Sequence, residues 1–378
     1  MIQQMAEART IYLAGGGSGG HLYPGLSVAQ VLRARGVDAD IVFLCTRRDI
    51  DRTILEPTGF EFIEQPILPP RRSIGGLLKF WRSWRATQDL LRETTEKRPP
   101  AVMLGLGGYA AGVALKRAAQ QRVPTALINP DVVPGKANLY LMKDAAKVCC
   151  QFEQTRQHVP AAVREKLEIT GCPVRGDILT RPDRETALKK LNLDPLLRTL
   201  VITGASQGAS TVNEAVVESL KQQKLQGWQV YHLAGRDHAE AVRADYRAAG
   251  MRATVVDFTP EMATVWAAAD LTITRAGAST CAEVIACGVP AIFMPYPFHK
   301  DMHQLANAKV LADAGAAIVI DDRKDRRQNA EQLKPALEQV LYDAARRQRM
   351  SAAARTVAPH DAAERVADVV SSLLENGR

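Results

Sequence analysis

The chain has 378 residues, of which 46% are hydrophobic and 24% charged, so we expect a fully buried core and about two domains. It contains no run of about 18 apolar residues that would predict a transmembrane helix. Its first residues lack the basic and apolar regions typical of a signal peptide, so none is expected. No CxxC pair occurs among its six cysteines, which predicts buried, reduced thiols. Its net charge of +8 favours an anionic partner: nucleic acid, an anionic membrane or phosphorylated substrates.

Short apolar runs alternate with helix-like stretches along the whole chain. In the first half they predict strands at Thr10–Ala14, Asp40–Leu44, Ala101–Gly105, Pro124–Ile128 and Lys147–Gln151. In the second half they predict strands at Thr199–Thr203, Gln229–Leu233, Ala253–Val256, Leu271–Thr274 and Ala291–Met294. Strands that alternate with helices indicate parallel sheets covered by helices. We therefore predict an α/β fold of two Rossmann-like domains whose parallel sheets face each other across a cleft.

The predicted domain boundaries follow from a polar stretch that begins at Thr180, after which strand-like sequence restarts at Leu200. We place the first domain at 1–178 and the second at 179–350. Residues 351–378 are expected to form a C-terminal helix that packs back toward the first domain.

The first predicted strand leads into a glycine-rich turn, Gly15–Gly20, followed by His21. Such a turn brings backbone amides close to an anion at a helix N-terminus. Dinucleotide binding is an alternative, but the spacing is not GxGxxG and no acidic residue clearly ends the next strand. A tight turn that only packs helix on strand is another. His21, at the start of the predicted helix, is a candidate base.

Two segments of the second half also follow predicted strands. The turn Gly204–Ala209 offers backbone amides and the Ser206 hydroxyl to a diphosphate, and it is not a P-loop because no GKS or GKT follows. In the segment Asp270–Glu283, Ser279 or Thr280 is expected to cap a helix whose first amides meet phosphate. Glu283 could then accept both hydroxyls of a ribose. The alternative is a capping box with Glu283 at its third position.

Six motifs occur in order along nearly the whole chain, and each alone is only moderately specific. They are Gly16–Gly25, Gly105–Tyr109, Gly171–Asp177, Gly204–Ala209, Arg275–Glu283 and His299–Asn307. The ordered set resembles the MurG family of N-acetylglucosaminyltransferases, which make lipid II from lipid I.

The resemblance implies a type B glycosyltransferase fold, with the lipid acceptor on the first domain and the donor mostly on the second. The implied reaction is an inverting transfer of N-acetylglucosamine from UDP-GlcNAc to the 4-hydroxyl of the muramyl sugar of undecaprenyl-pyrophosphoryl-MurNAc-pentapeptide, in peptidoglycan synthesis. It needs no cofactor and no metal. The implied location is peripheral, on the cytoplasmic face of the bacterial plasma membrane, and cell-wall synthesis proteins are candidate partners.

The resemblance also implies roles for individual residues. It places Ser18, Gly19 and Gly20 on the sugar and acceptor side, and Arg175 and Ser206 at the diphosphate. Thr259 aligns with a uracil-contacting position. Phosphate would lie against the helix start formed by Ala278, Ser279, Thr280, Cys281 and Ala282. Glu283 would hold the ribose, and Gln304, with His303, would reach the donor sugar.

One departure from the family pattern falls in the middle of the first domain. The family has His-Glu-Gln-Asn where this chain has Ile128-Asn129-Pro130-Asp131. The asparagine that contacts the donor becomes Asp131, which when ionised accepts hydrogen bonds but cannot donate them. Asp131 is alternatively a general base, second in our order to His21.

The stretch from Arg71 to Arg85 is amphipathic and predicts an interfacial membrane segment. A helix whose apolar face covers the sheet is the alternative. Its apolar residues are Ile74, Leu77, Leu78, Phe80, Trp81 and Trp84, flanked by basic residues that include Arg82 and Arg85. Nucleic acid is not expected as a partner, because no nucleic-acid-binding motif accompanies the charge.

Three rival functions remain at this stage. One is another glycolipid glycosyltransferase that uses a UDP-sugar. The second is a UDP-GlcNAc epimerase on the same fold, which would need no lipid. The third is a non-catalytic module that binds a uridine nucleotide without turnover.

Overall fold

The computed structural model describes residues 9–71, 73–204, 208–298 and 300–376. These residues divide into two compact units. Unit 1 comprises Met1–Arg175 with Asp361–Arg378, and unit 2 comprises Gly176–His360.

Unit 1 contains a seven-stranded parallel sheet in the order β3-β2-β1-β4-β5-β6-β7. Its strands are β1 Thr10–Ala14, β2 Asp40–Thr46, β3 Glu61–Gln65, β4 Pro100–Gly105, β5 Thr125–Asn129, β6 Lys147–Cys150 and β7 Leu167–Ile169. Its first six helices are α1 Gly19–Ala34, α2 Asp49–Leu55, α3 Ile74–Lys97, α4 Gly112–Gln120, α5 Lys136–Leu141 and α6 Ala161–Arg164.

Unit 2 contains a six-stranded parallel sheet in the order β10-β9-β8-β11-β12-β13. Its strands are β8 Arg198–Thr203, β9 Trp228–Leu233, β10 Thr254–Val256, β11 Leu271–Thr274, β12 Ala291–Phe293 and β13 Ala317–Val319. Its helices are α7 Gly176–Leu179, α8 Arg184–Lys190, α9 Ser210–Leu220, α10 Ala239–Ala248, α11 Met262–Ala268, α12 Ala278–Cys287, α13 His303–Asp313, α14 Arg326–Leu341 and α15 Ala344–Ala354. The last helix of the chain, α16 Ala362–Asn376, belongs to unit 1.

The sheet of unit 1 is buried on both faces, as parallel sheets with crossover helices require. On β1, Tyr12 packs into the cluster that holds α3 and α4, whereas Ile11 and Leu13 pack into the cluster that holds α1 and α16. The apolar side of α16, formed by Val366 and its neighbours at helical spacing, covers the sheet beside α1. Two parallel sheets covered by helices confirm the predicted α/β fold of two Rossmann-like domains.

Strands β3, β7 and β13 were not predicted, and each lies at the edge of its sheet. Strand β3, Glu61–Gln65, carries polar residues, which an edge strand tolerates because it is covered less completely than a central one. Strands β7 and β13 are only three residues long. None of the described helices is long and apolar enough to cross a lipid bilayer.

Candidate active site

The glycine-rich turn of unit 1 is built around a buried carboxylate. Asp51, on α2, is fully buried, and its two oxygens accept hydrogen bonds from the Gly17 amide at 2.7 and 2.8 Å. One of the two oxygens also accepts from the Thr46 amide at 2.8 Å and the Thr46 hydroxyl at 2.7 Å. A Cβ on Gly16 would lie 2.2 Å from this carboxylate, which is why the turn needs glycine there. The Gly17 amide is therefore engaged by the chain's own anion.

His21 lies in the first turn of α1, directly after this turn. Its Nδ1 is 3.2 Å from the carbonyl oxygen of Leu106. A carbonyl can only accept, so Nδ1 carries the proton and Nε2 keeps its lone pair. Burial lowers the pKa of His21, although the Leu106 carbonyl and the carboxylates of Asp131 and Asp51 favour the charged ring. The imidazole is therefore neutral near pH 7, with Nε2 as the nitrogen that can take a proton.

The loop after β4 forms one wall of the His21 ring. Gly107 and Gly108 both have positive φ, and a Cβ on Gly108 would lie 3.0 Å from Nε2 of His21. The Gly108 amide donates to Oδ1 of Asn138, which is buried on α5. This hydrogen bond holds the backbone of Gly108 in place beside the His21 ring.

Asn138 also links this wall to the second candidate base. Its Nδ2 donates to Oδ1 of Asn129 at 3.1 Å, and Nδ2 of Asn129 donates to the backbone oxygen of Asp131 at 2.7 Å. The structure thus brings His21 and Asp131 into one hydrogen-bonded region at the carboxyl ends of β4 and β5. Sequence analysis missed Asn129 and Asn138 as members of this region.

The other predicted residues of unit 1 lie around the start of α1. Ser18 is the N-cap residue, and Gly19 and Gly20 are the first two residues of the helix. Ser18 and Gly20 are exposed. The guanidinium of Arg175 lies 5.1 Å from the centroid of the Tyr23 ring, on the same helix.

In unit 2, α12 begins at Ala278, before both of its predicted caps. Gly277 is the N-cap, so the expectation that Ser279 or Thr280 caps the helix is wrong. Both residues lie in the first helical turn, with Ala278, Cys281 and Ala282 around them. A Cβ on Gly277 would meet no atom of the described residues within 4 Å, so the approach to these amides is open on that side. A helix N-terminus of this kind attracts anions.

Glu283 lies six residues into α12, which excludes the capping box. Its Oε2 instead accepts a hydrogen bond from the indole nitrogen of Trp266 at 2.7 Å. Trp266 is buried on α11 and was not predicted as a site residue. The carboxylate is therefore held in place by an aromatic side chain from the preceding helix, and it is half-buried.

A buried ion pair fixes the turn in front of α12. Nη1 of Arg275 lies 2.8 Å from Oδ2 of Asp322, and Nη2 donates to Thr211 at 2.7 Å. Nη1 also donates to the carbonyl of Met294. Although burial opposes it, the hydrogen bonds from Thr211 and Arg275 hold the pKa of Asp322 below its usual value. This network ties the carboxyl end of β11 to those of β12 and β13.

The remaining donor-side predictions lie on α13, in the loop after β10 or outside the described residues. Oε1 of Gln304 accepts from the Tyr296 amide at 2.9 Å, which leaves Nε2 as the end that can donate to a sugar hydroxyl. His303 contacts Asp301 through Nδ1 at 2.7 Å. Thr259 accepts from the Glu261 amide in the loop after β10. Ser206 lies outside the described residues.

Helix α3 presents two different apolar faces. Phe80 and Trp84 pack against the core of unit 1. The exposed side chains are Ile74 at 90%, Leu77 at 47%, Leu78 at 52% and Trp81 at 59%. Arg82 and Arg85 are also exposed. The predicted segment is thus a core-packing helix along one face and an unburied apolar and basic surface at its N-terminal end.

The arrangement is suited to group transfer. Unit 1 holds a neutral imidazole with a defined base nitrogen, and unit 2 holds an open helix N-terminus beside a fixed carboxylate. Among the described residues, no group of three or more His, Cys, Asp or Glu side chains could hold a metal ion.

Comparison with known proteins identifies the family. Residues 11–150 match the glycosyltransferase family 28 N-terminal domain, and residues 199–366 match the family 28 C-terminal domain. A protein of Geobacter sulfurreducens named UDP-N-acetylglucosamine--N-acetylmuramyl-(pentapeptide) pyrophosphoryl-undecaprenol N-acetylglucosamine transferase is 34% identical, covering 95% of this chain and 97% of its own. A protein of that name from Halothermothrix orenii is 33% identical, covering 90% and 92%.

A solved structure agrees with these relatives. The crystal structure of MurG from Acinetobacter baumannii has a TM-score of 0.73 and 26% identity, covering 96% of this chain and 99% of its own. The family resemblance drawn from the ordered motifs is confirmed. The chain belongs to glycosyltransferase family 28.

Proposed function

We propose that this chain transfers N-acetylglucosamine from UDP-GlcNAc to the 4-hydroxyl of the muramyl sugar in lipid I, which yields lipid II and UDP. The observation that carries this proposal is the 34% identity, over nearly the full length of both chains, to a transferase named for that reaction. Unit 1 takes the acceptor in this proposal, and unit 2 takes the donor.

The proposed chemistry is a single inverting displacement. The acceptor oxygen bonds to the anomeric carbon while the bond from that carbon to the diphosphate oxygen breaks. Nε2 of His21 takes the proton of the acceptor hydroxyl, a role that requires the neutral ring and the tautomer that the Leu106 carbonyl selects. The negative charge that grows on the departing diphosphate is met by the first amides of α12 and by Arg175. Each well-placed donor of this kind contributes about 3–4 kcal/mol in a closed site.

The donor's remaining contacts follow from unit 2. Glu283, oriented by Trp266, accepts the ribose hydroxyls, and Nε2 of Gln304 donates to the sugar. Thr259 lies at the uracil, and Ser206 is assigned to the diphosphate by its motif. Asp131 takes the position of the family's sugar-contacting asparagine.

We also propose that the exposed end of α3 docks on an anionic membrane, where the lipid acceptor resides. Each apolar side chain that leaves water for the bilayer contributes up to about 1.5–3 kcal/mol, and each basic residue near the surface about 1 kcal/mol. Trp84 provides a matched control for Trp81 on the same helix. Its ring packs on the core, so Trp84→Ser should lower the melting temperature, whereas Trp81→Ser should leave it unchanged.

The test of the reaction is an assay with radiolabelled UDP-GlcNAc and purified lipid I in detergent. We expect label in lipid II and an equal amount of free UDP, both dependent on lipid I. His21→Ala should lower turnover by about 10²–10⁴-fold without a matching loss of donor affinity. Conversion of UDP-GlcNAc into an epimer without lipid would contradict the proposal, as would donor binding with no turnover.

A further inference from the structure

The buried carboxylate of Asp51 is unusual for its position in the fold. It lies at the carboxyl end of the sheet of unit 1, where ligands of α/β proteins bind, yet the side chain is fully buried. Its hydrogen bonds come from Gly17 and Thr46, which belong to the turn after β1 and to the end of β2. A glycine-rich turn that could receive a ligand's phosphate has instead enclosed a carboxylate from its own chain.

That carboxylate determines where α1 begins. Gly17 immediately precedes the N-cap Ser18, whose carbonyl accepts from the amides of His21 and Leu22. Arg48, three residues before Asp51, donates to the carbonyl of Gly17. Both polar groups of the Gly17 backbone are thus fixed by the segment 48–51. The backbone of His21 lies only four residues beyond this anchor.

The imidazole is constrained independently from the other side. Its Nδ1 contacts the Leu106 carbonyl, and its ring lies against Gly108. The Leu106 amide in turn donates to the carbonyl of Ala14, the last residue of β1. A shift of the turn would move α1 relative to this wall, and the contact between Nδ1 and Leu106 would lengthen. Proton transfer is sensitive to such displacements, since a misplacement of about 1 Å can cost about 10²-fold in rate.

We propose that Asp51 is a positioning residue for the transfer reaction, which holds the turn before α1 so that His21 keeps its proton on Nδ1 and its lone pair on Nε2. This inference rests on the proposed function for its kinetic consequence, but the state of the imidazole can be measured without any substrate. A second consequence is that diphosphate cannot use the Gly17 amide, so donor binding should be independent of Asp51.

The test uses Asp51→Asn in the full-length protein. The new amide places N–H donors against the Thr46 and Gly17 amides, which also donate, so the turn loses acceptors without a change in side-chain volume. We expect kcat for lipid II formation to fall about 10-fold or more, with KM for UDP-GlcNAc within about 2-fold of the wild type. In a His21→Ala background the same substitution should lower kcat by less than about 2-fold, because its effect passes through the imidazole.

Two further variants control for a general loss of folding. Thr46→Val keeps the carboxylate and removes one of its donors, so we expect the same non-additivity with His21→Ala on a smaller scale. Asp40→Asn is the matched control, since Asp40 begins β2 at the amino end of the strand, away from Thr46 and the turn, and pairs with Arg98. That change should alter neither kcat nor the tautomer of the His21 ring.

The readout that does not depend on activity is the ¹⁵N chemical shifts of the His21 ring, assigned by their absence in His21→Ala. We expect the Nδ1–H tautomer in the wild type and a mixture of tautomers in Asp51→Asn or Thr46→Val. If both variants keep the wild-type shifts, or if Asp51→Asn lowers kcat equally in the presence and absence of His21, the proposal is wrong. Lack of lipid II formation by the wild type would overturn the proposed function, while the shifts would still decide the role of Asp51.

Discussion

The contact between Glu283 and Trp266 allows the proposed ribose site to be tested in detail. The indole nitrogen of Trp266 lies 2.7 Å from Oε2 of Glu283. In Glu283→Gln the side-chain carbonyl can still accept this hydrogen bond, so the free energy of unfolding should change by about 1 kcal/mol or less. The ribose hydroxyls, however, lose a charged acceptor. A hydrogen bond to a charged group contributes about 1.5–3 kcal/mol and a neutral one about 0.5–1.5. The difference, about 1–1.5 kcal/mol, corresponds to about a 5- to 13-fold weaker Kd for UDP.

The assay is isothermal titration calorimetry with UDP, 2′-deoxy-UDP and 3′-deoxy-UDP on both proteins. The wild type should discriminate against at least one deoxy analogue, and Glu283→Gln should discriminate less, because the partner of the missing hydroxyl is altered. Trp266→Phe is the control that removes the indole donor and keeps an aromatic ring in the core. Equal discrimination by the wild type and Glu283→Gln, together with a lower melting temperature of that variant, would mean that the carboxylate serves only to bind Trp266.

Four further outcomes are expected. Leu78→Ser with Trp81→Ser should release the protein from anionic vesicles in a flotation assay while UDP affinity stays unchanged; retention on the vesicles would refute membrane docking by α3. Asp131→Asn should keep or raise turnover, whereas a loss of about 10²-fold at constant donor affinity would make Asp131 the base. Because burial lowers the pKa of His21, the acid limb of kcat/KM should lie below pH 6.5, and it should vanish in His21→Ala. Burial lowers the pKa of His232 to about 3, below its unfolded value near 6.5. The stability that its neutral ring provides is therefore complete above pH 6.5 and is lost as the pH falls toward 3. The free energy of unfolding should fall by at most about 1.4 kcal/mol per pH unit over this range, and urea titrations of His232→Gln should show a smaller dependence on pH.

The central strands could be predicted from sequence because burial on both faces makes them continuous apolar runs. Strand β1, Thr10–Ala14, and strand β11, Leu271–Thr274, have the predicted boundaries. Of the four edge strands, β10 was predicted at Ala253–Val256, whereas β3, β7 and β13 escaped prediction because they are short or carry polar residues. Glu61–Gln65 reads as polar sequence, and Leu167–Ile169 is only three residues long.

The motifs assigned roles to residues of α12 but did not predict their local geometry. Glu283 was chosen for its place in the motif, and the structure shows it fixed by Trp266, 17 residues away. The same motif suggested caps at Ser279 or Thr280, because Ser/Thr-x-x-Glu is a capping signature. The helix begins at Ala278 instead, after an open glycine, and the hydroxyls that resemble caps lie within its first turn.

The role of Asp51 could not be predicted from the sequence. In dinucleotide-binding proteins, the acidic residue that accompanies the first glycine-rich turn lies at the end of β2 and binds a ribose. The carboxylate comes five residues after Thr46, on the helix that follows, and it points back into the turn rather than toward a ligand. Its distance of 34 residues from Gly17 makes this contact invisible to any local pattern. The glycines are explained by it, however: Gly16 must lack a Cβ because the carboxylate occupies the space that a Cβ would need. A glycine-rich turn at the carboxyl end of a parallel sheet therefore need not offer all its amides to a ligand, since the Gly17 amide is already engaged by the protein itself.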